Sequence, residues 1–179
     1  WYAAPISALS VNDTCINFYI KPSTIGKAAY IDYYPKTSFI KFKNASMTVQ
    51  DSVLKKLKID RDWVLNKNTF YAYGELIDTA DVDTLYRNIY NPSTFTGIVF
   101  KESLERYGMK VKTISRKKTF NKSYKKISNH LSKPLLHSAI NLMNESDNLT
   151  AELFVKSIGA LDTLPGTWEV GLDLSLIHI

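Results

Sequence analysis

The run 142-LMNESDNLTAELFVKSIG-159 decides how the second half of the chain is read. Upstream of it, Leu135, Leu136, Ala139, Ile140 and Met143 fall at helical spacing within 131-LSKPLLHSAINLMN-144. Downstream, Leu149, Leu153, Phe154 and Ile158 do the same, and Gly159 is read as the residue that closes this second helix. Ser146, Asp147 and Asn148 lie between the two. Each is a common helix cap, because its side-chain oxygen accepts hydrogen bonds from the free backbone N–H groups of a first turn. Taken alone, the triple is a cap.

Working outward, the first ~75 residues read as strands by their alternation. The segment 7-SALSVNDTCINFYIKP-22 alternates on both sides of an Asn12-Asp13 turn. KAAYIDYYP and SFIKFKN follow, then NTFYAYGEL and DTLYRNIY. β-Branched and aromatic residues dominate them, as a half-buried pleated surface prefers. The segment 91-NPSTFTGIVFKESLERYG-108 predicts a helix, with Pro92 in the first turn and Gly108 just past the end. Phe95, Ile98, Val99 and Tyr107 mark its apolar face. MKVKTIS, from Met109, is read as a strand after it, completing a strand–helix–strand unit. The fold class expected is α+β, a β-rich region over residues 1–120 followed by a helical segment over 121–179.

The 179 residues carry a net charge of +6 and a single cysteine, Cys15, so no disulfide can form within the chain. No apolar run approaches the ~20 residues of a membrane-spanning helix. Residues 110–126, KVKTISRKKTFNKSYKK, hold eight Lys or Arg and no acid. Such a stripe is either a solvated edge or a docking strip for an anionic partner. Its only aromatics are Phe120 and Tyr124, too few for a base-stacking platform, and nucleic acid is not expected as a partner. His130, His137 and His178 have no metal-ligand spacing, and no phosphate-binding glycine loop is present, so neither a metal nor a cofactor is expected.

The chemistry that fits is serine–lysine acyl transfer, in which a lysine of depressed pKa deprotonates a serine without a histidine. Its motifs run S-x-x-K, then S-D-N, then K-T-G. The surroundings of Ser146 support the catalytic reading. Ser132, Pro134, Leu135, Met143, Asn144, Ser146, Asp147, Asn148, Ala151, Glu152, Gly159, Pro165, Gly166, Thr167 and Trp168 fall in a fixed pattern of helix, S-D-N, helix and Pro-Gly-Thr-Trp turn. This pattern resembles the D-alanyl-D-alanine carboxypeptidase/endopeptidase family, the low-molecular-mass class C penicillin-binding proteins. The β region resembles it more loosely, through APISALSVNDTCINFYIKPSTIGKAA and the helix from Asn91. The resemblance spans about residues 1–171, and 172-LDLSLIHI-179 does not continue the amphipathic helix it implies.

The resemblance implies that the β-rich region is the late part of an insertion in a serine β-lactamase-like peptidase domain, which resumes near residue 121. It implies that the Ser146 hydroxyl bridges the catalytic lysine and the leaving-group nitrogen as a proton relay. The Asn148 amide would bind that lysine and the substrate carbonyl. Asp147 would organise the loop and help bind substrate. The partners implied are peptidoglycan peptides and β-lactam antibiotics, in an extracytoplasmic cell envelope. Weak contact of the basic stripe with an anionic wall or membrane surface is a further expectation.

Four S-x-x-K matches occur, Ser38–Lys41, Ser52–Lys55, Ser115–Lys118 and Ser123–Lys126, but none opens an apolar helix in which burial would lower the lysine pKa. Lys36-Thr37-Ser38 imitates K-T-G yet precedes S-D-N. The nucleophile and oxyanion donors are therefore expected outside this chain. The competing reading is a catalytically inactive relative that binds wall or protein.

Overall fold

Alternation of inward and outward side chains, clearest in the central strands, builds the first half of the molecule. The computed structural model describes residues 5–51, 54–115, 123, 125–162 and 164–176. Strand β1 (Cys15–Lys21) turns Ile16, Phe18 and Ile20 inward and leaves Tyr19 and Lys21 outside. It pairs antiparallel with β2 (Tyr30–Tyr34) on one side. On the other side it pairs with the strand that we number β6 (Asp83–Asn88). A second sheet joins β3 (Lys41–Val49), β4 (Lys58–Arg61) and β5 (Thr69–Ile77) in the order β3-β5-β4. There β3 and β5 run parallel, with Phe42 opposite Phe70, and β4 returns antiparallel, with Ile59 opposite Ala72.

The two sheets meet through Phe18, whose ring centroid lies 5.2 Å from that of Phe42 and 5.3 Å from that of Phe70. Burial of each such side chain contributes roughly 1.5–3 kcal/mol. Helix α1 (Pro92–Arg106) closes this core. Its Phe95 is fully buried, 5.6 Å from Phe39 between ring centroids. Asn91 caps it by accepting from the Thr94 N–H at 3.3 Å, and Gly108, at φ +83°, ends it in the left-handed conformation that glycine takes without strain. Tyr107, expected on the apolar face, instead lies at the C-cap and is exposed.

Cys15 is buried, and burial, helped by the nearby Asp13 charge, pushes its thiol up to about 11. Ser38 is tied to α1. Its N–H and hydroxyl donate to Glu102 Oε1 at 2.8 and 2.6 Å.

Two local readings of this half are corrected, and one strand was missed. Residues 7–11 are not a strand; Asn12–Thr14 form a 3-10 turn with left-handed backbone, and the ladder starts only at Cys15. Residues 109–114 pair with no strand among the described residues, because Ile114 packs instead against α1 beside Gly97. The polar, four-residue β4 was not read from the sequence at all.

The described residues divide into two compact units, one ending at Ile114 and the other beginning at Ser115. The second unit is helical: α2 (Leu135–Glu145), α3 (Asn148–Asp162) and α4 (Trp168–Leu176). Gly159 does not close α3, which continues to Asp162. Its role is contact. A Cβ there would lie 2.8 Å from the Thr167 carbonyl oxygen and 3.0 Å from the Gly171 nitrogen, so α3 and α4 touch backbone to backbone. A Cβ on Gly171 would overlap the Val155 carbonyl oxygen in the same way. Residues 172–176 thus belong to a docked helix, against the break in pattern expected from Leu172 onward.

Candidate active site

The turn between α2 and α3 is built by backbone geometry that leaves two side chains unused. Helix α2 ends at Ser146, whose φ of 51° and ψ of 46° put it in the left-handed region. That single reversal turns the chain, and the Asp147 N–H donates back to the Leu142 carbonyl at 3.2 Å. Asp147 then caps α3. Its Oδ1 accepts from the Leu149 N–H at 3.0 Å and from the Thr150 N–H at 3.3 Å, while the Thr150 hydroxyl donates to Oδ2. These bonds satisfy first-turn donors and place a carboxylate at the positive end of the helix dipole.

Ser146 and Asn148 flank this cap and take no part in it. Both are exposed, and neither side chain has a hydrogen-bond partner among the described residues. The three residues thus divide the two roles that the sequence left open for all of them. Asp147 is the cap. Ser146 presents a hydroxyl, donor and acceptor at once, and Asn148 presents an amide with both kinds of group. Thr150, the second anchor of the Asp147 carboxylate, was missed in the sequence. The signal was there: Asp followed three residues later by Thr, just before an apolar helical run.

The turn is held from behind. Leu149 is buried directly after Asn148, and α3 is clamped to α4 through Gly159 and Gly171. Thr167 caps α4 by accepting from the Val170 N–H at 3.3 Å, and Lys156 of α3 lies 5.6 Å from the Trp168 ring centroid. The Pro-Gly-Thr-Trp turn therefore buttresses the helix that carries Asn148.

The nucleophile-like residues of the first unit have local partners of their own. Ser38 is bonded to Glu102, and Lys41 starts β3 with its side chain exposed. Lys36 of the K-T-G mimic pairs with Asp32. Ser52, Lys118 and His178 lie outside the described residues. His130 and His137 are exposed, and no group of metal-binding side chains forms among the described residues.

The architecture is that of known penicillin-binding proteins. Penicillin-binding protein 4 of Haemophilus influenzae superposes with a TM-score of 0.70 in a complex with a β-lactam, at 15% identity, covering 98% of this chain and 42% of that one. A second structure of that protein gives a TM-score of 0.67 at 16% identity, covering 99% of this chain and 40% of that one. In sequence, the chain is 29% identical over 180 residues to the D-alanyl-D-alanine carboxypeptidase of Actinomadura sp. (strain R39). That match covers 96% of this chain and 33% of the relative, so the chain spans about one third of its relative's length. The chain belongs to the D-Ala-D-Ala carboxypeptidase 3 (S13) family, whose pattern matches residues 1–176.

Proposed function

We propose that the chain is part of a serine-type D-alanyl-D-alanine carboxypeptidase, to which it contributes the S-D-N corner of the active site. The observation that carries this is the division of labour at the turn. Asp147 alone caps α3, so Ser146 and Asn148 stand exposed and unengaged on a fixed backbone. In the parent protein the Ser146 hydroxyl would pass a proton between the catalytic lysine and the leaving nitrogen. The Asn148 amide would donate to the substrate carbonyl and accept from that lysine. Asp147 would act on substrate only by holding its two neighbours.

The substrates proposed are peptidoglycan stem peptides, with β-lactams as acylating mimics, and the setting is the extracytoplasmic envelope. The family and the β-lactam complex of the Haemophilus protein support this reading. The open apolar face of α2 supports it too. Leu135, Leu136 and Met143 are all largely exposed, as expected if further parts of a peptidase domain cover them. The basic residues 110–126 fit weak docking on an anionic wall or membrane surface. We assign residues 1–120 to the inserted region and 121–179 to the peptidase domain.

The test is the rate of penicillin acylation in the full-length parent. S146A should slow it by about 10²–10⁴, the range that proton relay supplies, and N148A should slow it through the lost hydrogen bonds to substrate and lysine. The 179-residue chain alone should form no stoichiometric adduct, since the nucleophile to be acylated and the oxyanion donors, usually the largest aid to acyl transfer, are expected outside it. A parent that penicillin never labels would instead be an inactive relative serving as a binding module.

A further inference from the structure

The β4–β5 hairpin has an apolar tip where turns are ordinarily polar. Residues 62–67 read DWVLNK. Asp62 organises the turn: its Oδ1 accepts from the Leu65 N–H at 3.2 Å and its carbonyl oxygen from the Lys67 N–H at 3.1 Å. The Asn66 N–H donates to the Trp63 carbonyl at 3.2 Å, with Asn66 itself left-handed at φ 50°. Asp and Asn thus supply the turn chemistry. Trp63, Val64 and Leu65 supply none of it, yet they are 50%, 92% and 59% exposed. Three consecutive exposed apolar side chains that the turn does not need mark a contact surface.

Three cations, Arg61, Lys67 and Lys41, lie around the tip, against the Asp62 carboxylate that is engaged with the turn. The Arg61 guanidinium, itself buried, lies 4.0 Å from the Trp63 ring centroid and donates to the Lys67 carbonyl at 3.2 Å. The indole is held from one face, so little side-chain freedom remains to be lost on binding. Lys67 is exposed beside the tip. Lys41 opens β3 at the same end, where its N–H donates to the Asn68 carbonyl at 2.9 Å. Asn68 also bonds the backbone of Tyr90, an exposed aromatic residue.

We propose that this tip inserts into the interface of an anionic lipid bilayer. Trp63 would sit at headgroup depth, with Val64 and Leu65 at the acyl boundary and Lys41 and Lys67 on lipid phosphates. The chain's net charge of +6 favours such a surface. The size of the tip disfavours a protein partner, because one turn supplies far less than the ~800 Å² per side of a stable protein interface. The inference rests on the extracytoplasmic setting proposed above, where a bilayer lies within reach.

The test uses the full-length parent with sedimenting vesicles of mixed phosphatidylglycerol and phosphatidylcholine. Wild type should partition onto them, less so as salt rises, and brominated lipid should quench tryptophan emission in wild type more than in W63F. The triple variant W63S/V64S/L65S should lose partitioning by about tenfold or more, while its cooperative melting and penicillin acylation stay at wild-type values. Binding unchanged in the triple variant, no binding by wild type, or no Trp63-dependent quenching because another segment of the parent covers the tip, would each overturn the proposal. Loss of acylation in wild type bears on the enzymatic reading alone and leaves the vesicle result standing.

Discussion

Thr150 holds the Asp147 carboxylate twice, through its backbone N–H at 3.3 Å and through its hydroxyl. Asp147 is therefore bound entirely within its own helix turn, and its removal should be felt in stability first. D147A is expected to cost about 1 kcal/mol, the usual loss of an N-cap, and D147N much less. Urea denaturation of the chain checks both. A D147A variant of unchanged stability would remove Asp147 from the capping role.

Stability and activity should part company at Ser146. The left-handed backbone there costs an ordinary residue roughly 1–2 kcal/mol, a cost that glycine avoids. S146G in the parent should be as stable as wild type or about 1 kcal/mol more stable, while its acylation by penicillin falls as far as that of S146A. Paired melting and acylation measurements decide the matter. A variant that keeps its acylation rate would deny the hydroxyl a role.

Contact between α3 and α4 should tolerate no side chain at Gly171, where a Cβ overlaps the Val155 carbonyl oxygen. Backbone cannot swing aside as a side-chain tip can. G171A should destabilise by at least the ~1–3 kcal/mol of ordinary overpacking, read by denaturant unfolding followed in the Trp168 signal.

The Cys15 thiol, raised to about 11 by burial, predicts a loss of stability at alkaline pH. Its folded pKa lies above the unfolded one, near 8.5. The contribution is complete below the unfolded value and disappears as pH rises through about 11. C15A should show a shallower loss over that window than wild type in paired melts. Thiol reagents at pH 8 should react slowly with native protein and fast in denaturant.

Local chemistry made some of this legible and long-range geometry hid the rest. Pro92 and Gly108 announce both ends of α1 because helix ends are a matter of a few adjacent residues. The inward set Ile16, Phe18 and Ile20 follows from alternation alone. The parallel pairing of β3 with β5 has no local signal. The alternation in MKVKTIS imitates a strand, but Ile114 found a better partner in the bare backbone of Gly97. Gly159 imitates a helix stop for a related reason, since a glycine needed for close approach looks the same in sequence as one needed at a cap. At the turn, the S-D-N triple and its setting were readable. Which of its members caps the helix was not, because Ser, Asp and Asn share that ability and only the backbone angles at Ser146 assign it to Asp147.

The left-handed turn at position 146 also bears on how this segment can drift. Glycine and asparagine adopt that conformation more readily than serine, so a protein selected only for folding has an easy route away from serine. The serine found there sits against a standing bias in the backbone. Among relatives of this segment, glycine or asparagine at the position of 146 would accompany loss of the relay proposed for its hydroxyl, a sign readable without any assay.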